Sequence, residues 1–219
     1  MRVTIVIILT FAAALPLAAQ TPRRLDNGPD SEVPTVSFRP FFLSSTERAA
    51  AKQTFDAVIG ESLQQFWGGG VQAALRGGLY VEVAASRFEK TGQRAFVSNG
   101  QVFPLGIPLT VRITPLEFSA GYRFRAAPRI VPYAGAGVAR YAYVETSEFA
   151  ESGDDVDDSQ LGYLVLGGVE VRAHRWIGVS VHVQYTHVTG ILGSAGISKE
   201  FGEDNLGGTA VRVKVLVGR

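Results

Sequence analysis

Ser180 and His182 are the residues of this sequence whose types and spacing come closest to a hydrolytic site. Side chains two positions apart in a β-strand point to the same face, so a serine nucleophile and a histidine base could meet there. The surrounding alternation, however, turns both side chains away from the apolar face, and no acidic residue can be assigned to orient His182. The sequence therefore predicts a protein that is not an enzyme, with a lipid-modifying hydrolase as a remote alternative.

Carboxylates are concentrated between Glu145 and Asp158, in a region without lysine or arginine. Oxygen ligands of this kind suit Ca²⁺ or Mg²⁺, but "SGDDVDDS" lacks the D-x-D-x-D-G spacing of a dedicated calcium loop. His182 and His187 are five residues apart and point to opposite faces of one strand, which is wrong for joint metal binding. We therefore expect a solvated loop, no metal and no cofactor; the weak candidate ligands are Asp154, Asp155, Asp157 and Asp158.

The elements that would position these residues are strands. Segments with alternating apolar and polar residues, rich in valine and glycine and separated by turn residues, recur along the chain. Most have the length of a tilted membrane-spanning strand, about 9 to 11 residues. There are eight of them, at 36–43, 69–75, 78–88, 109–124, 131–145, 161–172, 176–187 and 209–217.

Short and long connections alternate between these strands. The short ones are "RG", "RAAPR" and "AHR", and the long ones span 44–67, 89–108, 146–160 and 188–208. In an up-and-down barrel this order puts every long loop at one end and both chain ends at the other, the asymmetry of outer-membrane barrels. The predicted fold is all-β: an eight-stranded antiparallel up-and-down transmembrane β-barrel with short periplasmic turns and four long external loops.

The first long loop also predicts a short helix. Ser44 and Glu47 fit an S-x-x-E capping box, and Gly60 is placed to end the helix. The apolar residues of this loop fall on one helical stripe and would cap the barrel mouth. That stripe consists of Ala51, Phe55, Val58 and Ile59.

The polar faces of the strands could form a charged barrel interior or the surface of a soluble barrel, and periodicity alone leaves both open. A signal peptide, the loop asymmetry and aromatic residues near the strand ends favour the charged interior. Those aromatic residues are Phe41, Phe42, Phe118, Tyr122, Phe124, Tyr141, Tyr143 and Trp176. The predicted interior network consists of Arg39, Gln72, Glu82, Arg112, Glu117, Arg123, Glu170, Arg172, His182, Gln184, Arg212 and Lys214.

The strand at 109–124 changes phase in its middle. Leu109, Val111 and Ile113 would face lipid. The polar residues between and after them, Thr110, Arg112 and Thr114, would face the interior. Pro115 cannot donate a ladder hydrogen bond, so we predict a bulge there. After the bulge, Glu117 and Arg123 join the interior.

The N-terminus is typical of export. Arg2 precedes an apolar run at 3–15 and then small residues, which predicts a signal peptide at 1–19 cut between Ala19 and Gln20. A membrane anchor is the alternative, but a spanning helix needs roughly 20 apolar residues. A flexible leader at 20–34 and a barrel domain at 35–219 follow. The absence of cysteine excludes disulfides. The net charge of +1 excludes little, but nothing in the sequence suggests the basic face of a nucleic-acid binder.

Several segments resemble the small eight-stranded outer-membrane β-barrel family of the OmpA/OmpX/OmpW type. They are "LEFSAGYRF", "VPYAGAGVARY", "LGGVEVRAHRWIGVSVHVQYTHV" and "NLGGTAVRVKVLVGR". The resemblance implies location in the outer membrane of a Gram-negative cell and insertion by the barrel-assembly machinery. The expected partners are outer-membrane lipid and lipopolysaccharide. The sequence specifies no surface ligand.

Two functions follow as expectations. The first is a structural or surface-interaction barrel with a polar-filled interior, which the crowding of inward charges favours. The alternative is a narrow OmpW-like transport barrel that passes small, hydrophobic molecules through a side opening.

Overall fold

The computed structural model describes residues 36–98, 100–124, 129–147, 156–194 and 196–218. The predicted signal peptide and leader lie outside the described residues, as do Asp154 and Asp155. In the described ranges no helix is long and apolar enough to cross a membrane.

Eight antiparallel strands form one closed barrel in which each strand pairs with its neighbours in sequence and β1 pairs with β8. The predicted eight-stranded up-and-down topology is confirmed. The strands are β1 (Val36–Ala49), β2 (Leu63–Leu75), β3 (Leu79–Ser98), β4 (Gln101–Arg123), β5 (Ile130–Ser147), β6 (Val156–His174), β7 (Ile177–His187) and β8 (Gly208–Val217).

The barrel has two unlike ends. We call the end with the short connections β2–β3, β4–β5 and β6–β7 the turn end; β1 starts and β8 ends there. The opposite end is the loop end, where the β1–β2, β5–β6 and β7–β8 connections are longer and only two residues separate β3 from β4. Several strands extend further toward the loop end than predicted. β3 and β4 have 20 and 23 residues, so the connection expected at 89–108 is largely a strand hairpin.

Helix α1 (Lys52–Ile59) forms in the first long connection, as predicted, and ends at Gly60 in the left-handed conformation with φ 82°. The predicted capping box is wrong, because Ser44 and Glu47 belong to β1. An S-x-x-E pattern fits a strand equally well, and here the strand continues to Ala49. A second helix, α2 (Gly196–Glu200), lies before β8.

The predicted bulge at Pro115 is also wrong. β4 pairs with β5 in one unbroken register from Leu109 to Arg123. Leu109, Val111 and Ile113 therefore keep the phase of Glu117 and face the interior, at 6, 1 and 1 % exposure. They face inward because α1 enters the loop end of the barrel and offers them an apolar partner.

An apolar core fills the loop end of the barrel. Phe55 and Ile59 of α1 pack in one cluster with Val111 and Ile113 of β4 and with neighbouring inward side chains. Gly92 of β3 lets α1 come close, since a Cβ there would collide with the carbonyl oxygen of Val58. The predicted cap of the barrel mouth is therefore an inserted plug.

Candidate functional site

The outer and inner surfaces of the barrel are reversed relative to a water-soluble protein. Val211, Val213 and Val215 of β8 are 51, 41 and 40 % exposed, whereas Arg212 and Lys214 between them are each 2 % exposed. The membrane-facing parts of β3 and β7 follow the same alternation. An outward apolar band around a polar interior is the pattern of transmembrane barrels.

Aromatic side chains border the apolar band at both ends. Tyr122, Phe124 and Trp176 are exposed at the turn end, and Trp67 and Tyr185 toward the loop end. Such girdles are typical of membrane interfaces. Three of the aromatics expected there, Phe41, Tyr141 and Tyr143, instead lie inside the barrel at 7, 0 and 4 % exposure. Their phase within β1 and β5 turns them inward.

Glu170 of β6 organises the interior nearest the turn end. Its carboxylate accepts hydrogen bonds from Arg39 at 2.6 and 2.9 Å and from Arg123 at 2.8 Å. Arg39 also donates to Gln72 at 3.2 Å. This group joins β1, β2, β4 and β6 across the interior.

The next layer centres on Glu82 of β3. It accepts hydrogen bonds from Lys214 at 2.5 Å and from Gln72 at 3.0 Å. The ammonium of Lys214 also lies 4.9 Å from the ring centroid of Phe41. Gln72 therefore links the Glu170 layer to the Glu82 layer.

A third layer lies closer to the loop end. Arg212 holds Glu117 through two hydrogen bonds of 2.5 and 2.8 Å. Gln184 donates to the same carboxylate at 3.0 Å. Because these groups are buried, each charge depends on its partner for the solvation that water would otherwise provide.

The structure places eleven of the twelve predicted network residues on the inner face, but Arg112 lies outside. Arg112 follows the unbroken phase of β4 and donates to Glu89 of β3 at 2.9 Å on the outer surface. Arg87 also pairs with Glu89. Arg172 is at the turn-end mouth, half exposed, with its Nε 3.9 Å from a Glu170 oxygen.

Glu47 and Gln64 are interior residues that sequence reasoning missed. They face each other across β1 and β2 and are each 1 % exposed. The alternation of inward and outward residues continues in β1 beyond residue 43 and places Glu47 inside the barrel. The predicted helix capping box covered these residues and obscured that pattern. Tyr133, 6 % exposed, was likewise not assigned to the interior.

Ser180 and His182 do not form an accessible hydrolytic site. Both are 2 % exposed inside the barrel, and His182 Nδ1 lies 3.0 Å from the Tyr133 hydroxyl. Neither lipid nor a dissolved substrate can reach this pair without displacing the packed interior.

The acidic candidates within the described residues do not converge. Asp157 and Asp158 are consecutive residues of β6 and therefore point to opposite faces. In the part of the chain that the structure describes, no group of three or more His, Cys, Asp or Glu could hold a metal ion.

No protein-family model and no curated protein matches the chain. Solved structures do match its fold. One is Neisserial surface protein A, with 13 % identity, a TM-score of 0.52, and coverage of 84 % of this chain and 97 % of that one. Another is the N-terminal β-barrel domain of Pseudomonas aeruginosa OprF, with 12 % identity, a TM-score of 0.50 and the same coverage.

The reversed surfaces and closed eight-stranded sheet define a transmembrane β-barrel. Its particular fold is that of the small outer-membrane β-barrels to which these two structures belong.

Proposed function

We propose that this chain is a non-enzymatic integral protein of the outer membrane, inserted by the barrel-assembly machinery. In this proposal, it acts as a closed structural barrel that displays its loop end at the cell surface. The reversed burial along β8, with exposed valines and a buried Arg212 and Lys214, carries the proposal. Only a surrounding lipid phase makes that outer surface favourable, because burial of apolar area is worth about 25 cal/mol per Å².

Cell fractionation tests the location. The protein is expected with outer membranes, and its gel migration should shift when samples are boiled, as a folded barrel does. Recovery as a periplasmic monomer whose migration does not change on heating would overturn the proposal.

A closed rather than conducting barrel is supported by the packing of the interior. Eight strands enclose a space that side chains can fill. Arg212, Gln184 and Tyr141 occupy it at 2, 1 and 0 % exposure, and α1 adds the apolar plug above them. In planar bilayers we expect no steady conductance, and a stable single-channel current would contradict closure.

A cavity at the loop end favours a second candidate function, the handling of small hydrophobic molecules. It has a volume of about 380 Å³ and is lined by apolar residues that include Val58, Phe96, Leu105 and Ile191. The charged layers below it obstruct an axial route, so in this proposal the molecules would leave through the barrel wall. A substrate-uptake assay comparing cells with and without the protein tests this, and equal uptake would exclude it.

Lipopolysaccharide is the proposed lipid partner at the loop-end border of the apolar band. Outward Arg87, Arg112 and Arg140 on β3, β4 and β5 provide guanidinium groups there; Arg87 and Arg112 share the carboxylate of Glu89, and Arg140 donates to the hydroxyl of Ser159. Arginine forks suit phosphate groups. Replacing all three by Gln should weaken binding to lipopolysaccharide-containing vesicles, and unchanged binding would remove this role.

A further inference from the structure

The turn end of the barrel opens into a cavity whose walls are unusually rich in arginine. Its volume is about 560 Å³. Side chains from five strands, β1, β2, β4, β6 and β7, and from two turns line it. The charged ones are Arg39, Arg123, Arg129, Arg172, Arg175 and Glu170.

The lining carries a large excess of positive charge. Five arginines and one glutamate give 5 − 1, a formal charge of +4, and Glu170 is the one carboxylate among the described lining residues. Both oxygens of Glu170 are already used by Arg39 and Arg123. Arg172 has only a 3.9 Å approach to the same carboxylate. Like charges confined in a cleft with low-dielectric walls concentrate anions there.

The cavity is also built to keep its inner arginines in place. Arg39 and Arg123 are fixed by Glu170, with only 7 and 11 % of their side chains exposed. Gly178 leaves room for this group, since a Cβ there would lie 3.0 Å from a Glu170 oxygen and 3.1 Å from Arg39 Nη2. The half-exposed Arg172 and the turn residues Arg129 and Arg175 surround the opening.

We propose that this turn-end cavity binds a small polyanion that carries two or more phosphate or carboxylate groups. Guanidinium forks recognise both groups through paired hydrogen bonds. The volume lies in the range of small-molecule sites, about 300 to 1,000 Å³, and exceeds what one inorganic ion needs. The site faces the opposite end of the barrel from the displayed loops, and its binding can be measured whether or not the surface role is correct.

Titration calorimetry on the full barrel, refolded in uncharged detergent at low ionic strength, tests this with pyrophosphate and citrate as separate probes. At least one probe should bind saturably, once per barrel, with a Kd below about 1 mM. The stronger probe identifies phosphate or carboxylate as the preferred group. Absence of saturable binding by both would overturn the proposal.

Matched arginine variants locate the binding. Arg129→Gln combined with Arg172→Gln should weaken binding at least tenfold. Arg76→Gln, an exposed arginine of the β2–β3 turn that does not line the cavity, should leave binding within twofold. Equal weakening by both changes would mean diffuse attraction to this end and would also overturn the proposal.

Folding is checked separately by the heat-dependent gel shift. If the double variant does not fold, the single change Arg175→Gln in the exposed β6–β7 turn replaces it, with at least threefold weakening expected. The Arg175 guanidinium lies 6.0 Å from the Trp176 ring centroid, so saturable binding should also change tryptophan fluorescence in the wild-type barrel. No fluorescence change on saturation would place the anion elsewhere.

Discussion

The carboxylate of Glu203 caps helix α1 by accepting two hydrogen bonds from Thr54. The backbone N–H and the hydroxyl of Thr54 each donate to Glu203 Oε2 at 2.8 Å. The neighbouring backbone N–H of Gln53 donates to Oε1 at 3.0 Å. The helix that plugs the barrel is therefore held by the last long connection, about 150 residues further along the chain.

Glu203→Ala should loosen α1 without unfolding the barrel. Loss of a helix cap costs about 1 kcal/mol, and a carboxylate at a helix N-terminus adds a favourable charge interaction. Protease added to the folded protein should cut within α1 faster, while the heat-dependent gel shift remains. Glu200→Ala, an exposed carboxylate of α2, is the control and should leave the cleavage rate unchanged. Equal rates in the two variants would contradict the capping role.

Glu117→Ala should destabilise the barrel strongly because it leaves Arg212 buried without its partner. Breaking a buried ion pair on one side costs about 3 to 5 kcal/mol. Urea unfolding in lipid vesicles measures the loss. Replacing both partners, as Glu117→Leu with Arg212→Met, should recover much of it, since neither charge then remains. Glu89→Gln on the exposed outer face should have little effect, and a loss equal to that of Glu117→Ala would argue against a special role for the interior pair.

Cysteine labelling tests the unbroken phase of β4. The chain has no cysteine, so single replacements are unambiguous. Arg112→Cys should react with a water-soluble maleimide in the folded barrel, whereas Ile113→Cys should react only after unfolding. The reverse order of reactivity would support the predicted bulge at Pro115 instead.

Gly135→Val should collide inside the barrel with the hydroxyl of Tyr80 and with the carbonyl oxygen of Ala120, which lie 2.4 and 2.7 Å from a Cβ at this position. Overpacking of this kind typically costs about 1 to 3 kcal/mol, measurable by urea unfolding. Gly167→Val is the matched control in the neighbouring strand, because a Cβ there meets nothing closer than the Tyr133 carbonyl oxygen at 3.9 Å. Adding Tyr80→Phe to the Gly135 variant should recover part of the loss. Equal stability of the two valine variants would contradict overpacking at Gly135.

The fold could be predicted because its signals are local. Alternation along β7 and β8 and the order of short and long connections are properties of neighbouring residues. The orientation of Leu109, Val111 and Ile113 could not be predicted, because an apolar strand face packs equally well against lipid and against an inserted helix. Nothing in the local pattern reports that α1 enters the barrel.

The pairing of the interior side chains likewise could not be predicted from the sequence. Arg39 and Glu170 each show an inward phase in the sequence, but they are 131 residues apart and meet only through barrel closure. The arginine cavity depends on the same convergence of distant strands. Arg112 was predicted to face the interior because its neighbours Val111 and Ile113 were predicted to face lipid.

Because the β3–β4 hairpin is longer than the other strands, the sheet is not closed over its full height at the loop end. β2 pairs with β3 only as far as Arg87, and β5 pairs with β4 only from Leu109 onward. Above those residues, in the described part of the chain, strand pairing continues between β3 and β4 as a two-stranded ribbon. Two-stranded ribbons twist more strongly than the strands of larger sheets. A change in the twist of this ribbon would therefore leave the hydrogen bonding of the closed sheet below it intact.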